Sequence, residues 1–193
     1  MSKSRGEKIQ IVAFSTNDSD YHPNIILKTF LENNNHLILK QTSLATAFTI
    51  TLPETKKQTK IMICSVLKLN KDYTGINDVN CYLLFVDLEK EDIPKFEYIL
   101  NYIRENCDLS KKVYVLGMMK KKEGKKYLNE EALKKYFDSF KIIYEYKEII
   151  SDEKNDISNT FMNIFVYCLK NPISNEYNVD DKEGNQAGSC NIF

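Results

Sequence analysis

Hydrophobic residues recur along this chain in short apolar runs that are separated by longer amphipathic segments. Six runs are typical of strands and lie at 8–14, 41–52, 60–67, 81–86, 112–117 and 141–146. The run at 81–86 is uninterrupted, as in a parallel strand that is buried on both faces. The runs at 41–52 and 60–67 enclose a Pro-containing turn, which predicts a hairpin.

Four amphipathic segments predict helices between or after these strands. They lie at 23–33, 92–106, 129–140 and 157–170, and Asn129 is placed to cap the third. Strands joined by crossover helices favour an α/β fold. We therefore expect a mostly parallel six-stranded sheet with one antiparallel edge strand and helices on both faces.

Composition limits the function classes. A chain of 193 residues suits one domain with a tail, and its formal net charge is zero, so nucleic acid is not an expected partner. The polar N-terminal segment predicts no secretory signal, and the longest apolar run is far too short to cross a bilayer. His22 and His36 are the only histidines and have no partner at metal-ligand spacing, so no metal site is expected.

The order of these elements resembles the Ras-superfamily small GTPases, and Rab-like members most of all. The segment Asp-Val-Asn-Cys-Tyr-Leu-Leu-Phe-Val-Asp-Leu at 78–88 is similar to the fourth strand of a Rab, and 93–106 to the helix that follows it. The segment 112–117 looks like the strand that leads into the guanine-reading loop, and 129–136 looks like the fourth helix. The resemblance covers 8–170 and implies a small-GTPase-like three-layer fold.

This chain lacks the sequence motif of that family's phosphate loop. The family places G-x-x-x-x-G-K-[ST] after the first strand, where the glycines let backbone N–H groups approach the phosphates. This chain has no glycine between Gly6 and Gly75, and Asp18 and Asp20 put negative charge where phosphates would sit. We expect Asp18, Asp20, Tyr21 and His22 to fill or cap the vacant phosphate region, because an open cleft would lose packing.

The other nucleotide loops of the family also depart from their motifs. Ser65 stands at the magnesium-side Asp of D-x-x-G-Q, Lys68 at its Gly and Leu69 at its Gln. The base-reading Asp of N-K-x-D is Lys121, and the segment matching S-A-K falls at 144–148. The resemblance therefore implies a pseudo-GTPase without GTP hydrolysis. No cofactor is expected, and GTP or GDP with magnesium would bind only if nonstandard residues hold it.

The last four residues, Cys190-Asn-Ile-Phe193, match a C-a-a-X prenylation box, and a final Phe favours geranylgeranyl. The alternative is an ordinary terminus that carries a cysteine. The box predicts a cytoplasmic protein held on the cytosolic face of a membrane through Cys190, with a prenyl-binding chaperone as a possible partner. The expected organisation is a Ras/Rab-like G domain over 1–172 and a flexible tail over 173–193.

A basic run follows the predicted strand at 112–117. Its members are Lys120, Lys121, Lys122, Lys125 and Lys126, and they should lie at the carboxyl edge of the sheet. One interpretation is a solvated loop, and the other is a contact with anions, either the acidic patch of a partner or lipid phosphates.

Together these patterns predict a prenylated pseudo-GTPase that acts as a membrane-tethered interaction module in trafficking or signalling. One alternative is an atypical small GTPase that still binds nucleotide. Another is a non-prenylated scaffold subunit with the same fold.

Overall fold

The computed structural model describes residues 8–16, 20–56, 58–66, 69, 76–90, 93–121 and 123–173. Over these residues the chain forms strands and helices in alternation. The strands are β1 Lys8–Ser15, β2 His36–Gln41, β3 Ala45–Thr51, β4 Gln58–Ser65, β5 Cys81–Asp87, β6 Val113–Met119 and β7 Tyr144–Ile150. The helices are α1 Pro23–Glu32, α2 Ile93–Asn106, α3 Glu130–Phe140 and α4 Lys154–Lys170.

The strands form one sheet in the order β2-β3-β4-β1-β5-β6-β7. From β4 to β7 all neighbouring strands are parallel, whereas β3 is antiparallel to both β2 and β4. The predicted α/β class, the mostly parallel sheet and the antiparallel edge are therefore confirmed. The predicted strand number is wrong, because the described sheet has seven strands and β2 was not expected.

Helices cover both faces of the sheet. Along β5, Cys81 and Phe85 belong to the hydrophobic cluster that contains the buried residues of α1 and α4. The alternate positions Tyr82 and Val86 belong to a second cluster with those of α2 and α3. Since side chains of a strand point to opposite faces in turn, α1 and α4 lie on one face and α2 and α3 on the other. Burying each large apolar side chain contributes about 1.5–3 kcal/mol.

The turn between α3 and β7 moves the last strand away from its predicted place. The residue after α3, its C-cap Lys141, adopts the left-handed conformation with φ 56°. Its backbone N–H donates to the carbonyl of Asp138 at 3.2 Å, which closes the helix. β7 therefore begins at Tyr144 rather than at 141, and it extends to Ile150.

A buried asparagine fixes the end of α4 to the sheet. Asn80 is 3% exposed, and its Oδ1 accepts the backbone N–H of Gln10 at 2.8 Å. Its Nδ2 donates to the carbonyls of Cys168 at 3.3 Å and Asn171 at 3.1 Å. Gln10 and Asn80 lie at the amino ends of β1 and β5, so the chain after α4 leaves the described core at the amino edge of the sheet.

The described cysteines mostly lie where the apolar patterns placed them. Cys64, Cys81 and Cys168 are buried thiols, and Cys107 is half-buried. The sulfur atoms of Cys81 and Cys168 are 3.5 Å apart, between the start of β5 and the end of α4. The prediction that these are core residues is confirmed for the three buried cysteines, and their reduced state stays a prediction.

Candidate functional site

The carboxyl edge of the sheet is the first place to look for a site. In open α/β sheets, ligands bind outside the carboxyl ends of the strands, where the strand order reverses. Here the chain after β1 continues to strands on one side of it, and the chain after β5 continues to strands on the other side. The carboxyl ends of β1 and β5 therefore flank the point where a ligand would be expected.

Polar groups of the chain itself satisfy one another at these strand ends. The backbone N–H of Thr16 donates to the carbonyl of Phe85 at 2.9 Å, and the backbone N–H of Asp87 donates to Oγ1 of Thr16 at 2.9 Å. Oγ of Ser15 donates to the carbonyl of Tyr21 at 3.1 Å. The backbone donors of Thr16 and Asp87 are thus engaged within the fold instead of pointing together into an open cradle.

Glu89 joins the loops that follow three parallel strands. The hydroxyl of Tyr21, after β1, donates to Oε2 of Glu89, after β5, at 3.1 Å. The same oxygen accepts the backbone N–H of Lys120, after β6, at 2.9 Å. Tyr21 is 2% exposed, and burial followed by the charge of Glu89 raises the pKa of its hydroxyl, so this group remains a neutral donor.

We call the hydrogen bonds that link Tyr21, Glu89 and Lys120 the Glu89 bridge. Ion pairs surround the Glu89 bridge. Lys90 lies 3.5 Å from Asp20 and 3.8 Å from Asp87, and Lys120 lies 3.8 Å from Asp20. The backbone N–H of Glu89 donates to Oδ1 of Asp87 at 2.9 Å. The pairs that involve Asp20 are exposed, so each contributes at most about 1 kcal/mol. The arrangement places carboxylates, rather than an excess of positive charge, where phosphates would bind.

His22 occupies the N-terminus of α1, which is the usual anion-binding end of a helix. Its Nδ1 accepts the backbone N–H of Asn24 at 3.1 Å, and its carbonyl accepts the N–H of Ile25 at 2.9 Å. Tyr21 is therefore buried beside the carboxyl ends of β1 and β5, and His22 caps α1. That these residues fill or cap a phosphate region stays a prediction. Asp20 lies at its rim, and Asp18 lies outside the described residues.

The positions that align with the other nucleotide motifs have unrelated contacts. Ser65 is fully buried, and its Oγ donates to Oδ1 of Asn24 at 3.2 Å. The carbonyl of Leu69 accepts the hydroxyl of Tyr98 at 3.4 Å, and Lys68 lies outside the described residues. The expected S-A-K loop at 144–148 is wrong, since these residues lie within β7.

The predicted basic run begins at the carboxyl edge, directly after β6. Lys120 pairs with Asp20, Lys126 pairs with Glu148, and the ammonium of Lys125 lies 4.4 Å from the ring centre of Tyr127. Lys121 is exposed, and Lys122 lies outside the described residues. These side chains do not converge on one point, and an anionic contact stays a prediction.

A shallow cavity of about 510 Å³ lies along α3. Its lining residues are Asn129, Glu131, Ala132, Lys135, Tyr136 and Ser139. Glu131 and Lys135 form an exposed ion pair at 3.6 Å across one turn of the helix. This arrangement offers no nucleophile paired with a base, and we assign it no chemistry.

The described ranges of the chain also bear on metal binding and on membrane spanning. Within them, no group of three or more His, Cys, Asp or Glu side chains is arranged to hold a metal ion. None of the described helices combines the length and the apolar character needed to cross a membrane. Cys190, the predicted lipidation site, lies outside the described residues.

Sequence reasoning missed Glu89 and Lys90 at the carboxyl edge. Their only signal in the sequence is their position just after the apolar run at 81–86 and Asp87. Neither residue belongs to a glycine-containing motif, although chain segments that follow parallel strands meet at one edge of the sheet.

Comparison with known proteins does not assign the chain to a family. No protein-family model matches it, and no curated protein matches it significantly.

Proposed function

We propose that this protein is a prenylated, Ras/Rab-like pseudo-GTPase that acts as a membrane-tethered interaction module in trafficking or signalling. It binds guanine nucleotide poorly or not at all and does not hydrolyse GTP. The single observation that carries this proposal is the Glu89 bridge, because it fills the edge where the related fold would hold its ligand.

The bridge opposes nucleotide binding in two ways. A phosphate would have to displace the Tyr21 hydroxyl from Glu89. A buried hydroxyl that loses its hydrogen-bond partner costs about 2 kcal/mol, which would raise the Kd for nucleotide roughly thirtyfold. The incoming phosphate would also meet the carboxylates of Asp20 and Asp87 at close range. Both effects add to the loss of the phosphate-loop glycines and of the base-reading Asp, which is Lys121 here.

Two measurements on the purified protein test this part of the proposal. Extraction should yield no bound GDP or GTP, and a thermal melt with millimolar GTP and magnesium should show no rise in Tm. A ligand at 100 times its Kd would stabilise the fold by about 2.7 kcal/mol, which corresponds to a rise of roughly 5–10 °C for a protein of this size. A GTPase of known nucleotide affinity serves as the positive control, and a comparable rise for this protein would favour the atypical GTPase instead.

The membrane part of the proposal depends on Cys190. Residues 173–189 contain Glu176, Asp180, Asp181 and Glu183 against a single lysine, so the tail lacks the basic residues that draw a chain to an anionic leaflet. Stable anchoring usually takes two signals. A single geranylgeranyl group should therefore distribute the protein between membrane and a chaperone-bound pool.

Fractionation of cells tests the anchor. The Cys190→Ser variant should be wholly soluble, whereas a Cys107→Ser control should fractionate like the native protein. Mass spectrometry of the native protein should find the lipid on Cys190. Unchanged membrane association of Cys190→Ser would assign the anchoring to a protein partner and favour the scaffold alternative.

A further inference from the structure

Two buried cysteines meet where the last helix ends against the sheet. Cys81 is the first residue of β5, and Cys168 lies in the last turn of α4. The two residues are 0% and 1% exposed, and their sulfur atoms are 3.5 Å apart. The S–S bond of a disulfide is about 2.05 Å long, so the two sulfur atoms need to approach by only about 1.5 Å. The fold thus already pairs these two side chains.

The other described cysteines lie on the opposite side of the sheet. Cys81 and Cys168 belong to the hydrophobic cluster between the sheet and the helices α1 and α4. Cys64 belongs to the cluster on the other face, and Cys107 packs against that second cluster. Neither of these two thiols can reach the first pair across the sheet. Among the described cysteines, oxidation on the α1 and α4 face therefore has one pair of sulfur atoms to join.

We propose that Cys81 and Cys168 are a redox site, which hydrogen peroxide oxidises to a reversible intramolecular disulfide. In the first step, one thiolate attacks the peroxide and becomes a sulfenic acid, and the other peroxide oxygen leaves as water. In the second step, the remaining thiol displaces the sulfenic oxygen, which leaves as a second water, and the S–S bond forms. In total the two thiols lose two hydrogen atoms and two electrons, and one peroxide is reduced to two waters. The proposal involves neither nucleotide nor lipid, so it does not rest on the proposed function.

The positions of the two residues set the order of the steps. Cys81 lies in β5, between β1 and β6, and burial followed by the contact with Cys168 raises the pKa of its thiol. The charge of Lys112 opposes this rise only in part. A buried, protonated thiol reacts slowly, whereas the last turn of a helix opens readily. The Cys168 thiolate therefore attacks the peroxide when its turn opens, and Cys81 completes the disulfide when the turn closes.

Asn80 limits how often this turn opens. It directly precedes Cys81, and its Nδ2 donates to the carbonyls of Cys168 at 3.3 Å and Asn171 at 3.1 Å. These hydrogen bonds hold the end of α4 against the sheet in the reduced protein. The disulfide would fix the same end of α4 covalently, by joining two residues that are 87 positions apart in the chain. Oxidation would thus replace a fastening that opens by one that does not.

Oxidation of the full, unlipidated chain provides the first test. The Cys190→Ser background removes the thiol of the tail, so that it cannot link two molecules. After treatment with hydrogen peroxide, mass spectrometry of a nonreduced digest should find the peptides of Cys81 and Cys168 joined, and dithiothreitol should separate them. Persistence of both thiols in the folded protein would overturn the proposal. A disulfide between other cysteines, or an oxidation that dithiothreitol does not reverse, would overturn it as well.

Single substitutions in the same background test the pairing. The oxidised protein should melt about 5–15 °C above its reduced form, because the cross-link restricts the unfolded chain. This rise should be absent in Cys168→Ser and retained in Cys64→Ser, which changes a buried cysteine on the other face. Far-ultraviolet circular dichroism checks that each variant is folded, and the digest of the unsubstituted pair does not depend on the variants. An equal rise in Cys168→Ser would refute the assignment.

The rate of oxidation tests the role of the helix end. Asn80→Ala should form the disulfide at least about fivefold faster, because the end of α4 opens more often without the hydrogen bonds of Asn80. Asn163→Ala, at an exposed position of α4, is the matched control and should react at the unchanged rate. Equal rates for Asn80→Ala and Asn163→Ala would refute the proposed order of steps.

Discussion

Replacing Asn80 by alanine tests how the fold holds the end of its last helix. The Asn80 side chain accepts one hydrogen bond from Gln10 and donates two, to Cys168 and Asn171. Alanine would leave the N–H of Gln10 without this partner, whereas the carbonyl of Cys168 would keep the backbone N–H of Asn171 at 3.3 Å. Asn171 is exposed, so water can replace its lost hydrogen bond.

The expected cost follows from these partners. A buried polar group that loses its hydrogen bond costs about 1–3 kcal/mol, and the hydrogen bond from Gln10 is only partly buried. We therefore expect Asn80→Ala to lower the free energy of unfolding by about 1–3 kcal/mol. At about 2–4 °C per kcal/mol for a protein of this size, the Tm should fall by roughly 2–12 °C.

Urea unfolding followed by circular dichroism measures this loss, and hydrogen exchange locates it. Amides in the last turn of α4 should exchange faster in Asn80→Ala, because the end of the helix is no longer fixed to the sheet. Asn163→Ala, at an exposed position of α4, is the control and should be neutral or slightly stabilising. A loss below about 1 kcal/mol, or unchanged exchange at the end of α4, would refute the reasoning.

Three further predictions follow from local geometry. Gly117→Ala would bring its Cβ within 2.8 Å of the Tyr146 hydroxyl and should cost about 1–3 kcal/mol in urea unfolding, with partial recovery when Tyr146→Phe is added. Lys141→Gly removes a left-handed lysine with φ 56° and should stabilise by about 0.5–1 kcal/mol in thermal unfolding, whereas Lys134→Gly in the middle of α3 should destabilise by about 1 kcal/mol. Burial raises the pKa of Cys107 from 9.0 to about 12, so the folded state keeps a proton that the unfolded chain loses, and stability should fall as the pH rises from about 9 towards 12. Cys107→Ser should reduce that fall in urea titrations at two alkaline pH values, and an unchanged slope would contradict the assignment.

The elements that could be predicted from the sequence are those in which the pattern of apolar residues within the element itself shows which positions are buried. β5 is apolar at every position except its last, so its burial on both faces was evident without any neighbour. β2 could not be predicted in this way, because none of its six positions is buried and no alternation marks it. β7 begins three residues later than predicted because Lys141 forms the left-handed turn that follows α3. In addition, an edge strand with many charged residues gives a weak apolar signal.

The same distinction applies to the candidate site, where some residues are placed by the local sequence and others only by the order of the strands. Tyr21 and His22 could be assigned to the segment between β1 and α1 because their position relative to these two elements is local in the sequence. The partner of Tyr21 could not be assigned, because Glu89 lies 68 residues further along the chain. Only the sheet order, which sets β5 beside β1, brings the two side chains together.

The way Asn80 holds α4 sets the direction in which a tethered molecule would face. The chain after α4 departs from the amino edge of the sheet, whereas the Glu89 bridge lies at the carboxyl edge. A core held by its tail would therefore turn the Glu89 bridge away from the membrane and towards the cytosol.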